Sequence, residues 1–132
     1  MDAQPGHKVA SFSAASAPTT PGVYAFYRDG AAVYVGRAVT SSGLRGRLRT
    51  HTASGIDLSH SSFRRNVAAL LDVAPTAVTR MRPPQLTAEQ VAPVNEWIAG
   101  CTVRWVEAAS VEAAKQLEDD MKAEWKPPLT KR

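Results

Sequence analysis

Two runs of strand-forming residues face each other across Asp29-Gly30: Pro21-Gly22-Val23-Tyr24-Ala25-Phe26 before it and Val33-Tyr34-Val35-Gly36 after it. Alternating Val, Phe and Tyr on either side of a dipeptide with strong turn chemistry predicts a tight β-hairpin, around which the rest of the chain must pack. The length of its loop decides where Tyr24 and Tyr34 point. A two-residue loop at Asp29-Gly30 sets Tyr24 against Val35 and Tyr34 against Ala25, on opposite faces. A three-residue loop, Arg28-Asp29-Gly30 with Gly30 left-handed in a G1 bulge, sets Tyr24 directly across from Tyr34. The second arrangement is expected.

Residues 1–17 are Ala, Ser and small polar residues without a sustained period, and predict a mobile tail that includes His7. After the hairpin, Ser41-Ser42-Gly43 offers N-caps for a helix over about 43–52. Ser61 or Ser62 caps the next, in which Phe63, Val67, Leu70 and Leu71 form an apolar stripe with Arg64 and Arg65 on the outer side. Prolines at 75, 83 and 84 interrupt the chain. Thr87 with Gln90 makes a capping box for a helix ending near Gly100, with Pro93 expected to kink it or shift its start. The alternation over Cys101–Glu107 predicts the third strand, and Ser110 caps a last helix to about Trp125. The fold class is therefore α+β: a small three-stranded antiparallel sheet flanked by helices, with a helical insert over about 56–100 before the third strand. No internal repeat or second domain is visible, so residues 18–132 read as one domain.

Composition narrows the class. At 132 residues with 44% hydrophobic content the chain suits one modest core. It has no apolar run of membrane-spanning length and no signal-peptide pattern, which predicts a cytoplasmic protein without a membrane partner. The single cysteine, Cys101, has no internal disulfide partner and reads as a buried strand residue; with only three histidines there is no Cys/His zinc cluster. Net charge is +4, concentrated in Arg37, Arg45, Arg47 and Arg49 and then in Arg64, Arg65, Arg80 and Arg82. Such clusters suit a phosphate backbone, and charge alone leaves ordinary solubilising surface equally open.

Two helical placements point to chemistry. In the last helix, Val111, Ala114, Leu117, Met121 and Trp125 form one stripe, and Glu118 falls inside it. A carboxylate there must bind a cation, pair with an arginine or reach an open cleft, because burying it unpaired is costly. Glu112, Asp119, Asp120 and Glu124 lie away from the stripe as solvated surface. Arg47 and His51 are one turn apart and share a face, so a guanidinium fork and an imidazole can converge on one phosphate. Arg45 points elsewhere, as a surface or non-specific phosphate contact. Tyr27, Trp97, Trp105 and Trp125 read as packing residues, and His60 as surface.

Gly22-Val23-Tyr24 and Tyr34-Val35-Gly36 resemble the paired tripeptides that name the GIY-YIG nucleases. Leu44-Arg45-Gly46-Arg47-Leu48-Arg49-Thr50-His51 is similar to that family's helix carrying an arginine with a histidine four residues later. Leu117-Glu118-Asp119-Asp120-Met121, leading to Lys126-Pro127-Pro128-Leu129-Thr130, resembles its final helix with a metal-binding glutamate. Together these motifs cover about half the chain in the family's order.

The resemblance implies a nuclease that hydrolyses phosphodiester bonds of DNA, RNA not being excluded, with Mg²⁺ or Mn²⁺. Carried over by motif, Tyr24 is the general base or water activator, His51 and Tyr34 tune or position it, Arg47 holds the scissile phosphate, and Glu118 ligates the metal. Arg37, Arg45, Arg49, Arg64 and Arg65 are the expected further nucleic-acid contacts. Two features depart from the family pattern: Thr130 stands where many members have asparagine, and the insert is long enough to serve substrate recognition or dimerisation. A catalytically silent nucleic-acid-binding module and a protein-interaction domain using the insert are the alternatives.

Overall fold

A computed structural model describes residues 4–130. The sheet has four strands, one more than expected, all antiparallel in the order β1-β4-β2-β3: β1 His7–Lys8, β2 Gly22–Arg28, β3 Ala31–Ala38 and β4 Thr102–Glu107. The extra strand comes from the segment expected to be a mobile tail. His7 and Lys8 pair with Val103 and Thr102, His7 stacks on Trp105 at 4.5 Å between ring centroids, and two 3-10 turns lead to the buried Ala17. A two-residue strand among Ala and Ser carries no periodicity of its own; its place is set by the sheet edge and Trp105.

The hairpin departs from both simple loop readings. Arg28 pairs with Ala31, so Asp29-Gly30 is a two-residue loop, and both residues have positive φ (53° and 81°) as a type I′ turn requires. Val33 is then an extra residue, because Tyr34 pairs with Phe26 while Ala32 pairs with Tyr27. This bulge shifts the register by one and returns both phenols to a single face. Tyr24 lies opposite Gly36 rather than Tyr34, which sits diagonally beside it with ring centroids 6.4 Å apart.

Among the described residues five helices pack on the sheet or on one another: α1 Gly43–His51, α2 Ser62–Leu70, the short α3 Thr76–Thr79, α4 Ala88–Ala99 and α5 Val111–Trp125. Caps mark several boundaries. Ser61 accepts from the Arg64 N–H, the Thr87/Gln90 capping box forms in full, and Ser110 accepts from the Ala113 N–H, whereas no side chain caps α1. Helix α4 starts at the box and runs through Pro93, so the proline does not shift its start.

Alternation along β2 feeds two apolar layers. Tyr24 and Phe26 face a cluster with Leu44 and Leu48 of α1, Phe63 and Val67 of α2 and Val91, Val94 and Ile98 of α4. Val23, Ala25 and Val35 face Ala114 and Met121 of α5. Cys101 is buried just before β4, and burial pushes its thiol up to about 11. Arg64 overturns the expected outer placement: it is 1% exposed, with its guanidinium donating to the carbonyls of Gly55 (2.7 Å) and Asp57 (3.4 Å) and to Asn95 Oδ1 (2.8 Å). Leu70, expected in the stripe, is exposed instead. Among the described residues no helix is long and apolar enough to cross a membrane.

Candidate active site

The sheet and α1 bring Tyr24 and His51 into direct contact. Tyr24 leaves the middle of β2 toward α1, and His51 is the last residue of that helix. Leu44 and Leu48, both fully buried, seat the helix on the sheet and thereby set the phase of Arg47 and His51. The phenol oxygen lies 2.7 Å from His51 Nε2, and Arg47 Nη2 lies 3.2 Å from the same nitrogen. A guanidinium only donates, so Nε2 is the acceptor and the ring proton resides on Nδ1. Nδ1–H then donates to Ser61 Oγ at 2.6 Å, and Tyr24 O–H donates to Nε2.

Ser61 is a member of this cluster that the sequence identified only as a cap. It is 2% exposed, and its oxygen accepts from both His51 and the Arg64 N–H (3.0 Å). The next residue, Ser62, shares a hydrogen bond of 2.5 Å with the Tyr34 hydroxyl. The start of α2 thus holds both the imidazole and the second phenol.

Gly36 explains the tight glycine after Val35. A β-carbon there would meet the Tyr24 oxygen at 2.3 Å and Cζ at 2.5 Å, so the ring occupies the space a side chain would fill. Contact this close demands glycine through space rather than through backbone conformation.

Burial sets the resting protonation. It raises the Tyr24 pKa well above the ordinary phenol value, reinforced by Tyr34 and opposed by the charge and hydrogen bonding of Arg47. Tyr34 is raised for the same first reason. His51, fully buried and facing Arg47, is held well below the usual imidazole range. A neutral phenol therefore donates to a neutral imidazole at neutral pH.

Glu118 approaches from the other layer. It is 5% exposed within the α5 stripe, as its phase predicts, and pairs through Oε1 with Arg37 (3.1 Å) and through Oε2 with Lys122 (3.4 Å). Its negative charge also raises both Tyr24 and Tyr34. Next to it, Lys122, Lys126, Pro127 and Thr130 line an open cleft of about 200 Å³. Thr130 Oγ1 accepts the Val35 N–H at 2.8 Å while the Leu129 N–H donates to Val33 O at 2.9 Å, so this segment closes the exposed edge of β3.

The expected phosphate contacts divide. Arg37 is engaged by Glu118, Arg45 donates to the Ala17 carbonyl (2.9 Å), and Arg64 is buried. Arg49 is exposed, and Arg65 is half-buried at the start of α2.

Residues 16–132 match a family model described as the GIY-YIG catalytic domain. The chain belongs to the GIY-YIG family. The match spans nearly the whole chain, and it makes this a nuclease-type domain with a nucleic acid as the expected class of substrate. Members of the GIY-YIG family generally use a divalent metal. Neither a curated protein nor a solved structure matches the chain.

Proposed function

We propose that this GIY-YIG domain is a metal-dependent endonuclease that hydrolyses phosphodiester bonds of DNA, with Tyr24, Tyr34, Arg47, His51 and Glu118 as its working residues. The observation that carries this reading is the donor-acceptor chain Tyr24–His51–Ser61, buried beneath Arg47 and within the field of Glu118.

Among the described residues no group of three or more His, Cys, Asp or Glu side chains is gathered. One buried carboxylate still suits Mg²⁺ or Mn²⁺, because such ions keep several waters and complete their shell with substrate phosphate oxygens. Glu118 is the residue that would hold the ion, with Arg37 and Lys122 already attesting that cations are stable beside it. When bound, the ion supplies Lewis-acid stabilisation of charge on the phosphate and leaving oxygen.

The chain's own residues account for the proton. A water between Tyr24 and the phosphorus gives a proton to the phenol oxygen as the phenol passes its own to His51 Nε2, and Nδ1–H keeps its bond to Ser61 throughout. Burial first and charge second hold the imidazole neutral, so a bound phosphate relieves the part of that opposition that comes from Arg47. Its planar fork then grips two phosphate oxygens. Tyr34, held by Ser62, positions the group next to it.

Plasmid nicking tests this function. Purified protein with Mg²⁺ or Mn²⁺ should convert supercoiled plasmid to open circles, and both a chelator and Glu118→Ala should abolish the conversion. Salt-sensitive DNA binding without any cleavage would assign the domain to the silent binding class instead.

A further inference from the structure

The segment 57–62 has two working sides. Its inner side holds the site, through Ser61 on His51 and Ser62 on Tyr34. Its outer side collects arginines. Arg65 Nη1 donates to the carbonyls of Ser59 (2.5 Å) and Leu58 (3.3 Å), while Arg82 donates from Nε to Ser59 Oγ (3.0 Å) and from Nη2 to His60 Nδ1 (3.3 Å). Arg65 and Arg82, seventeen positions apart in the chain, therefore meet on one residue. Burial first, and then the charges of Arg80 and Arg47, lower the Arg65 guanidinium.

Among the described residues, no carboxylate stands within ion-pair distance of Arg65, Arg80 or Arg82. The nearby Asp57 is turned to its own loop, accepting from the Ser59 N–H (2.9 Å) and hydroxyl (2.6 Å) and facing His60 at 3.7 Å. Arg82 acts on the Asp57 carboxylate through space without an ion pair, so the three guanidiniums share at most one distant counter-charge; like charges held this way repel, and a polyanion is what relieves that repulsion. Arg80 and Arg82 are exposed, and both belong to the insert.

We propose that Arg65, Arg80 and Arg82 form a phosphate track that carries the backbone of the substrate DNA strand from the Arg47 pocket onto the insert. The inference rests on the nuclease reading for its direction of travel, but its contacts are to phosphates alone and need no cleavage. A row of guanidiniums suits successive phosphates, binding without regard to sequence. The insert thus has a use that the sequence left open between recognition and dimerisation.

The test is fluorescence anisotropy of the full chain with a short fluorescein-labelled DNA duplex, in chelator, across a sodium chloride series. The double variant Arg80→Ala/Arg82→Ala should lower the slope of log K against log salt by about 2, roughly 0.9 for each phosphate that the protein no longer neutralises. Lys8→Ala/Lys115→Ala removes the same charge from β1 and the exposed side of α5 and should leave the slope as in wild type. Equal reductions in the two double variants would reduce the track to net charge, and an unchanged slope in the arginine variant would overturn it, as would wild-type protein that does not bind. Because chelator excludes cleavage, a failed nicking assay strikes the nuclease reading and leaves this measurement standing.

Discussion

Replacing Ser61 by alanine separates its two duties by their size. Its oxygen caps α2 by accepting the Arg64 N–H, and loss of such a cap costs about 1 kcal/mol. The same oxygen is the acceptor for His51 Nδ1–H at 2.6 Å in a site where His51 is 0% exposed, and a buried donor left unsatisfied costs about 1–3 kcal/mol. Ser61→Ala should therefore lose about 2–4 kcal/mol, which at a typical m-value of about 2 kcal/mol/M lowers the urea midpoint by roughly 1–2 M. Ser61→Thr keeps the hydroxyl and should recover most of it. The decisive readout is the His51 ring: Arg47 still donates to Nε2, so the ¹⁵N shifts should report the Nδ1–H form in all three proteins, while the Nδ1–H proton should lose its hydrogen-bonded downfield shift in Ser61→Ala alone. Without the Ser61 acceptor the imidazole is less firmly oriented toward Tyr24, so nicking should fall as well. If Ser61→Ala costs only the ~1 kcal/mol of a cap and leaves the Nδ1–H proton shift unchanged, the assigned hydrogen-bond chain is wrong.

Three further outcomes follow from the geometry. Gly36→Ala puts a β-carbon 2.3 Å from the Tyr24 oxygen, so the phenol must move and lose His51; overpacking of this kind costs about 1–3 kcal/mol, and nicking should fall to background while circular dichroism keeps the native spectrum. Because the folded His51 pKa lies below its unfolded value near 6.5, its stabilising contribution is complete above pH 6.5 and is lost as the unfolded chain takes up a proton below it; this histidine should contribute a slope of up to ~1.4 kcal/mol per pH unit between pH 6.5 and its folded pKa, measured by urea unfolding and absent in His51→Gln. Thr130→Val removes the acceptor of the Val35 N–H at the sheet edge, at about 1–3 kcal/mol, and should accelerate amide exchange at Val35 more than in the middle of β2.

The sequence made visible whatever depended on local period and failed where a distant partner decided the outcome. The phase of α5 was enough to place Glu118 inside a buried stripe, and the spacing of Arg47 and His51 was enough to put them on one face. The hairpin was legible but its bulge was not. Nothing in Ala31-Ala32-Val33 marks Val33 as the extra residue, and its carbonyl is taken by Leu129 from the other end of the chain. Arg64 shows the same limit more sharply. A helical wheel sends it to solvent, yet carbonyls of an irregular loop and Asn95 of α4 gather around its guanidinium and compensate most of its burial, leaving Nε without a partner. Ser61 was legible as a cap because capping is local; its bond to His51, ten residues earlier, was not.

Burial of the Tyr24–His51 pair also bears on when the proposed chemistry starts. Desolvation pushes the phenol up and the imidazole down, so both shifts oppose moving the proton from Tyr24 to His51 in the free protein. Arg47 acts on the two halves with opposite effect, favouring the phenolate while disfavouring the imidazolium. A phosphate that neutralises Arg47 relieves the second effect and forfeits the first, whereas a cation held at Glu118 would offset the carboxylate charge that raises Tyr24. Phosphate at Arg47 would thus ease the imidazolium and a cation at Glu118 would ease the phenolate, and neither alone would remove both penalties. The consequence for the proposed enzyme is a phenol kept protonated until both are in place, which confines base catalysis to the assembled complex.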